Sequence, residues 1–284
     1  AAGRSVVFAA GDTFRTERYE VAYRDPALDW REMRVGELTV LYHDVSDRQV
    51  RDVSEDVSSR LALVKEVVGV ETIPPMTGVI LNNHREAEVG FPLVSQAASL
   101  GHLYAGFAFS DFGVFALVGL DRDGMLHEMT HLLLKEAVDN PLALVPAWLN
   151  EGLAMHFEKD SFRRHKQVAQ AARSEAFFPL NNMNAVPGRP EDVRLFYAQS
   201  LSVVDFMFDA YGPARMTALI QARDASGLFQ NATTAFWLGV DQLGNLPLPH
   251  QSGAMRPGRG IGEEHLHVAG AHVLPVGLVG RAHV

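Results

Sequence analysis

Polar and apolar positions along the chain change rhythm near residue 120. Before that point short alternating runs dominate. "ELTVLYHDV" (37–45) alternates and is β-branched, which predicts a strand. In the following segment Val50, Val53, Val57, Leu61 and Val64 recur at three- and four-residue steps, the period of a helix, with Ser46 or Asp47 placed to cap it. "MTGVILNN" (76–83) predicts a second strand after the helix-stopping "IPP". "HREAEVGFPLVSQAASLG" (84–101) fits neither period cleanly. "HLYAGFAF" and "FGVFALVGL" are apolar runs joined at "SDFG", a hairpin or two edge strands.

From Asp121 the helical period takes over. "DRDGMLHEMTHLLLKEAVD" places Met125, Leu126, Met129, Leu132, Leu133 and Ala137 on one face, and Asn140-Pro141 is a stop. "PAWLNEGLAMHFEKD" predicts a second helix, with Pro146 suited to its first turn. "SFRRHKQVAQAARS", "EDVRLFYAQSLSVVDFMFDAYG" (ending at Gly212) and "PARMTALIQARDAS" predict three more. Strands first and helices afterwards imply an α+β fold of two lobes with a cleft between them. The expected divisions are an N-terminal α/β lobe with an edge strand (1–120), a helical lobe (121–225) and a Gly-, Pro- and His-rich irregular tail (226–284). The tail's His265, His267 and His272 invite a metal-binding reading that composition alone supports weakly.

Composition removes several classes. The chain has 284 residues and no cysteine, so disulfides and thiolate metal sites are excluded, and any metal must be held by His, Asp or Glu. The net charge is −9 and the basic residues are scattered, so no nucleic-acid footprint is present. The most apolar window (103–120) is Gly-rich and interrupted by Asp111, which reads as buried strands and not as a membrane span. The sequence opens on "AAGRS" without Met, as expected of a processed or trimmed start.

Candidate chemistry gathers in the first helix after residue 120. In "HEMTH", His127 and His131 are four apart, so on a helix they share a face and can present two imidazoles to one ion. Glu128 is turned by about 100° from His127, away from the ligand row but within reach of a water at the ion. That is the logic of the H-E-x-x-H helix, two zinc ligands and a carboxylate base. With 12 histidines in the chain, five such residues can also arise by chance, so a third ligand is the discriminating test. The metzincin continuation is absent, since Leu134 and Ala137 stand where it needs Gly and His. Glu151, in the apolar setting of Trp148, Leu149, Leu153 and Ala154, is the candidate; the alternative is a solvated Glu near a helix start.

"HEMTH" followed by "PAWLNEGLA" resembles the gluzincin superfamily of zinc metallopeptidases, the thermolysin-like clan. The resemblance is greatest to the bacterial peptidase-MA-like group, whose members read H-E-x-x-H, a variable loop, then W-L-x-E-G-x-A. "FYAQSLSVVDFMFDAYG" is similar to that group's Y-x-Q-S helix ending in Y-G, and the likeness is specific over residues 121–213. It implies a zincin-like two-lobed fold with the active-site helix at the cleft. It further implies one zinc ion per chain on His127, His131 and Glu151, with Glu128 as catalytic base and a peptide or protein as substrate. It also leans towards an exported bacterial protein.

Some positions depart from the pattern. Thermolysin-like enzymes carry an Asp four residues after the ligand Glu to orient a ligand histidine; here Met155 stands there, so that partner is unidentified. The G-x-M-E-N segment of aminopeptidase relatives is absent, which favours an endopeptidase. Tyr197 could stabilise an oxyanion, or pack with Leu201, Val204 and Phe208 as a core stripe. His156 is too far round its helix to join the same ion, and Glu158 is a surface residue or a partner of the ligands. Asn231 begins a glycosylation sequon. The strand within "FGVFALVGL" is the expected edge for pairing with an extended substrate. Two other classes stay open: a non-catalytic zinc- or peptide-binding module, and a zinc hydrolase of a non-peptide substrate.

Overall fold

A computed structural model describes residues 25–91, 105–138, 145–159, 168 and 177–221, together with a strand pair at 6–7 and 13–14. The chain gathers into two compact units, Ala1–Trp30 and Arg31–Val284. In the first, β1 (Val6–Val7) pairs antiparallel with β2 (Thr13–Phe14). The second holds a mixed five-stranded sheet and the helices.

The sheet runs β3 (Arg31–Val35), β4 (Leu38–Tyr42), β5 (Met76–Leu81), β7 (Val114–Val118), β6 (Gly106–Phe109) in spatial order. β4, β5 and β7 are parallel to one another, and β3 and β6 close the two edges antiparallel. Leu38, Val40 and Tyr42 alternate inward on β4, and Met76 and Ile80 do so on β5, so one face of the sheet meets the core. The strand β3 went unread in the sequence. Its "REMRV" is polar because an edge strand with one covered face buries few side chains, here Met33.

One expectation is corrected. The "FGVFALVGL" run forms β7, which lies between β5 and β6 and therefore has no free edge. Among the described residues the edge on that side of the sheet is β6, in the other half of the hairpin, which turns through a short 3-10 segment at Ser110–Phe112.

α1 (Asp47–Val68) carries the valine and leucine stripe inward, and the Ser46 side chain accepts from the Gln49 amide as its N-cap. The ambiguous segment starts as a short helix, α2 (His84–Gly90). α3 (Arg122–Val138) holds "HEMTH"; Asp121 caps it, its carboxylate accepting from the Gly124 amide at 2.6 Å. α3 packs on α1 and on the β6–β7 hairpin. α4 (Ala147–His156) follows Pro146. α5 (Pro190–Tyr211) begins with proline and stops at Gly212, and α6 (Pro213–Gln221) packs back on α1.

α4 and α5 approach closely at Gly152. A Cβ there would stand 2.5 Å from the Ser200 carbonyl and 2.6 Å from Val204 Cγ2, so the glycine sets the contact that brings α5 beside Glu151. The segment 161–174 apart from Val168, the Asn140-Pro141 stop, and the tail with Asn231, His265, His267 and His272 lie outside the described residues. Among the described residues no helix is long and apolar enough to cross a membrane.

Candidate metal centre

α3 and α4 lie against each other, and this contact brings the two sequence motifs together. Each of His127, His131 and Glu151 offers one ligand atom, and the three atoms lie within 4.8 Å of one another. His127 Nε2 is 3.3 Å and His131 Nε2 3.6 Å from the same oxygen, Glu151 Oε2. The rings stand edge to face, 4.7 Å apart at 85°. Two imidazole nitrogens converging on a carboxylate oxygen form an N2O donor set that fits a single metal ion.

The far side of each ring is anchored. His127 Nδ1 donates to Glu158 Oε1 at 2.8 Å, and His131 Nδ1 donates to Asn150 Oδ1 at 2.8 Å. With Nδ1 carrying the proton, Nε2 is the atom each ring turns towards Glu151. The sequence left Asn150 unassigned and offered Glu158 as a surface residue or a partner of the ligands. Asn150 is adjacent to Glu151, so its role follows once α4 docks on α3. Glu158 lies past the end of α4 at His156, where helical periodicity no longer predicts direction. Its side chain is only 8% exposed, which excludes the surface alternative. Met155, four residues after Glu151, is buried in the core.

Glu128 is buried on the other flank of α3, beneath β6. A Cβ at Gly106 would lie 2.3 Å from Glu128 Oε1, so the carboxylate occupies space that only glycine leaves open. Gly106 was not recognised from the sequence, because the clash depends on how the sheet edge crosses the helix. Tyr197 on α5 is half-buried, packs on the core and donates its hydroxyl hydrogen bond to Glu151. His156 is directed elsewhere: its Nδ1 bonds Asp205 Oδ1 at 2.6 Å and its ring stacks on Phe208.

The electrostatics follow from this crowding. Burial raises the Glu128 carboxyl to about 7, opposed by His127 and reinforced by Glu151 and Glu158. Burial acts against charge on His127, but hydrogen bonds to Glu151 and Glu158 and the nearby Glu128 outweigh it and lift the ring to about 10. His131 is lowered, chiefly by burial. For Glu151 burial is the largest influence and acts upward; the charges of both histidines and hydrogen bonds from His127 and Tyr197 overcome it and lower the carboxyl. Without a metal, the centre is held by the partly buried His127–Glu151 pair.

No curated protein matches the chain. The family described as the peptidase MA superfamily matches residues 58–246, which takes in the C-terminal half of α1, the sheet from β5 onward, and both halves of the His–His–Glu cluster. That match covers more than half of the 284 residues and contains the site just described: the chain belongs to the peptidase MA superfamily.

Proposed function

We propose that the protein is a zinc-dependent peptidase of the gluzincin kind, with His127, His131 and Glu151 as the metal ligands and Glu128 as the general base. The observation that carries this reading is the convergence of both Nε2 atoms on one Glu151 oxygen, with a buried carboxylate next in sequence to the first ligand. A zinc ion at such a donor set polarises a carbonyl and lowers the pKa of water towards about 7.

The chain's own residues supply the rest. Glu128, raised to about 7, is suited to take a proton from the attacking water and deliver it to the leaving amine near neutral pH. Glu158 and Asn150 hold the ligand rings in one tautomer. Tyr197, kept at Glu151 by its hydroxyl, is the nearby donor for charge developing on the substrate oxygen. The edge strand β6 begins at Gly106, against Glu128, and is the strand on which an extended peptide would pair. With no G-x-M-E-N segment of the aminopeptidase kind in the sequence, we assign an endopeptidase with the helices after residue 121 as its catalytic lobe.

The test is peptide hydrolysis by wild type and Glu128→Gln, each with its metal content measured. Glutamine keeps the size of the side chain and removes no ligand. Hydrolysis by Glu128→Gln should fall by at least about 100-fold at unchanged zinc content. An equal rate in the variant would overturn the base assignment. A wild type that holds zinc yet cleaves no member of a broad peptide library would point to a non-peptide substrate or to a binding module.

A further inference from the structure

Asp123 opens a row on α3. It precedes His127 by four residues, and His127 precedes His131 by four, so the three side chains follow at one-turn steps along one helix face. Each is joined to the chain of α4 and its exit. His131 takes Asn150, His127 takes Glu151 and Glu158, and Asp123 Oδ2 accepts from the Lys159 amide at 3.0 Å.

Arg60 of α1 completes this last contact. Its Nη1 donates to Asp123 Oδ1 at 2.9 Å and its Nη2 donates to the Phe157 carbonyl. The Phe157 carbonyl belongs to the peptide plane before Glu158, and the Lys159 amide to the plane after it. Because peptide units are rigid, holding both planes fixes the φ and ψ of Glu158. α4 has already ended at His156, and the Glu158 amide bonds back to the Met155 carbonyl at 3.1 Å.

We propose that Arg60 and Asp123 are positioning residues for the metal centre, clamping the backbone on both sides of Glu158 so that its carboxylate stays on His127 Nδ1. The proposal rests on the reading of His127 as a metal ligand. The side chains of Arg60 and Asp123 are 15% and 24% exposed, so the pair is sheltered from the screening that weakens surface ion pairs. Asp56 supports it from α1, 3.8 Å from Arg60, 3.8 Å from Arg122 and 3.9 Å from the Lys159 ammonium. A guanidinium is suited to the task because its planar fork reaches two separated acceptors from two different nitrogens, whereas a lysine offers its donors from a single atom.

A simple stitch between α1, α3 and the end of α4 would lower stability alone. A clamp acting through Glu158 makes a further demand, that its effect on the metal vanish once Glu158 is gone. The experiment is zinc affinity by chelator competition in wild type, Arg60→Lys, Glu158→Ala and the double variant. Arg60→Lys should weaken zinc binding about tenfold in the wild-type background, within the range for partners of metal ligands. In the Glu158→Ala background the same change should alter affinity less than about twofold, since residues acting as one unit are not additive. An equal loss in both backgrounds, or a lowered melting temperature at unchanged zinc affinity, overturns the clamp. Asp123→Asn, which weakens the hold on Lys159 while leaving Arg60 in place, should reproduce the result if Arg60→Lys fails to fold. The NMR resonance of the His127 Nδ1 proton in metal-free protein decides the case separately. It should be present in wild type and lost or broadened in Arg60→Lys, and an unchanged resonance counts against the clamp. If wild type takes up no zinc, the ligand reading fails while this resonance still judges the clamp.

Discussion

Two histidines in this protein, His43 and the partly buried His127, sit among carboxylates, and they are built for opposite ends. His43, just after β4, is 1% exposed. Its Nδ1 meets Asp44 Oδ2 at 2.9 Å and its Nε2 meets Glu86 Oε2 at 3.1 Å, so the carboxylates lie on opposite edges of one ring. Glu86 also accepts from the Asn82 amide, and Asn82 Nδ2 approaches both His43 and Asp44. The ring is spread between partners and ties the ends of β4 and β5 to α2. At His127 one edge is likewise taken by Glu158, but the other shares its acceptor oxygen with His131. A cluster of His and acid groups is a candidate site when donor atoms converge on one point. Where they diverge, it is a stitch.

The largest effect expected from this contrast is on metal binding. His131→Ala should abolish zinc uptake, because two remaining ligands hold a catalytic ion poorly, whereas His43→Gln should leave uptake at the wild-type level. Metal analysis after dialysis reads both, and retained zinc in His131→Ala would sink the ligand assignment. Next comes Gly106→Ala. The new methyl must displace Glu128, and a misplacement of about 1 Å can cost on the order of 100-fold in rate, so hydrolysis should drop roughly 10- to 100-fold with zinc content unchanged. A fully active Gly106→Ala enzyme would show that Glu128 has room to move.

The stitch should reveal itself in stability. His43→Gln removes a ring that bonds Asp44 and Glu86, whose side chains are 75% and 23% exposed, so the loss is that of hydrogen bonds to partners water can reach, about 0.5–1.5 kcal/mol, measurable by urea unfolding of the metal-free protein. No loss of stability would mean that the cluster rearranges freely. The smallest effect is one of pH. In the metal-free protein His127 rises from 6.5 to about 10, so its contribution to stability is complete below about 6.5 and is lost as pH climbs through about 10. The melting temperature of chelator-treated wild type should therefore decline across that window, and His127→Gln should flatten the decline. An identical slope in both proteins would place the pair's influence elsewhere.

Much of this was legible because it is local. The i, i+4 spacing of His127 and His131 places both rings on one face wherever the helix packs. The valine stripe of α1 and the limits of α5, set by Pro190 and Gly212, are likewise short-range. The polar edge strand β3 escaped notice because it has little apolar alternation to read. The assignment of the open edge to β7 failed for a different reason: strand order is a property of pairing, and β5 took the side that local pattern left undecided.

The sequence by itself determined which side chains could bind a metal, since residue type and helical period suffice for that. Tertiary structure alone decided how they are held. Glu158 reaches His127 across 31 residues, Arg60 reaches Asp123 across 63, and Gly106 makes room for Glu128 from another strand. None of these contacts follows from local period, because each depends on how α1, α3, α4 and β6 stack. Burial explains why it matters: within a packed interior a carboxylate or imidazole must find its partner in the neighbouring element or lose its charge.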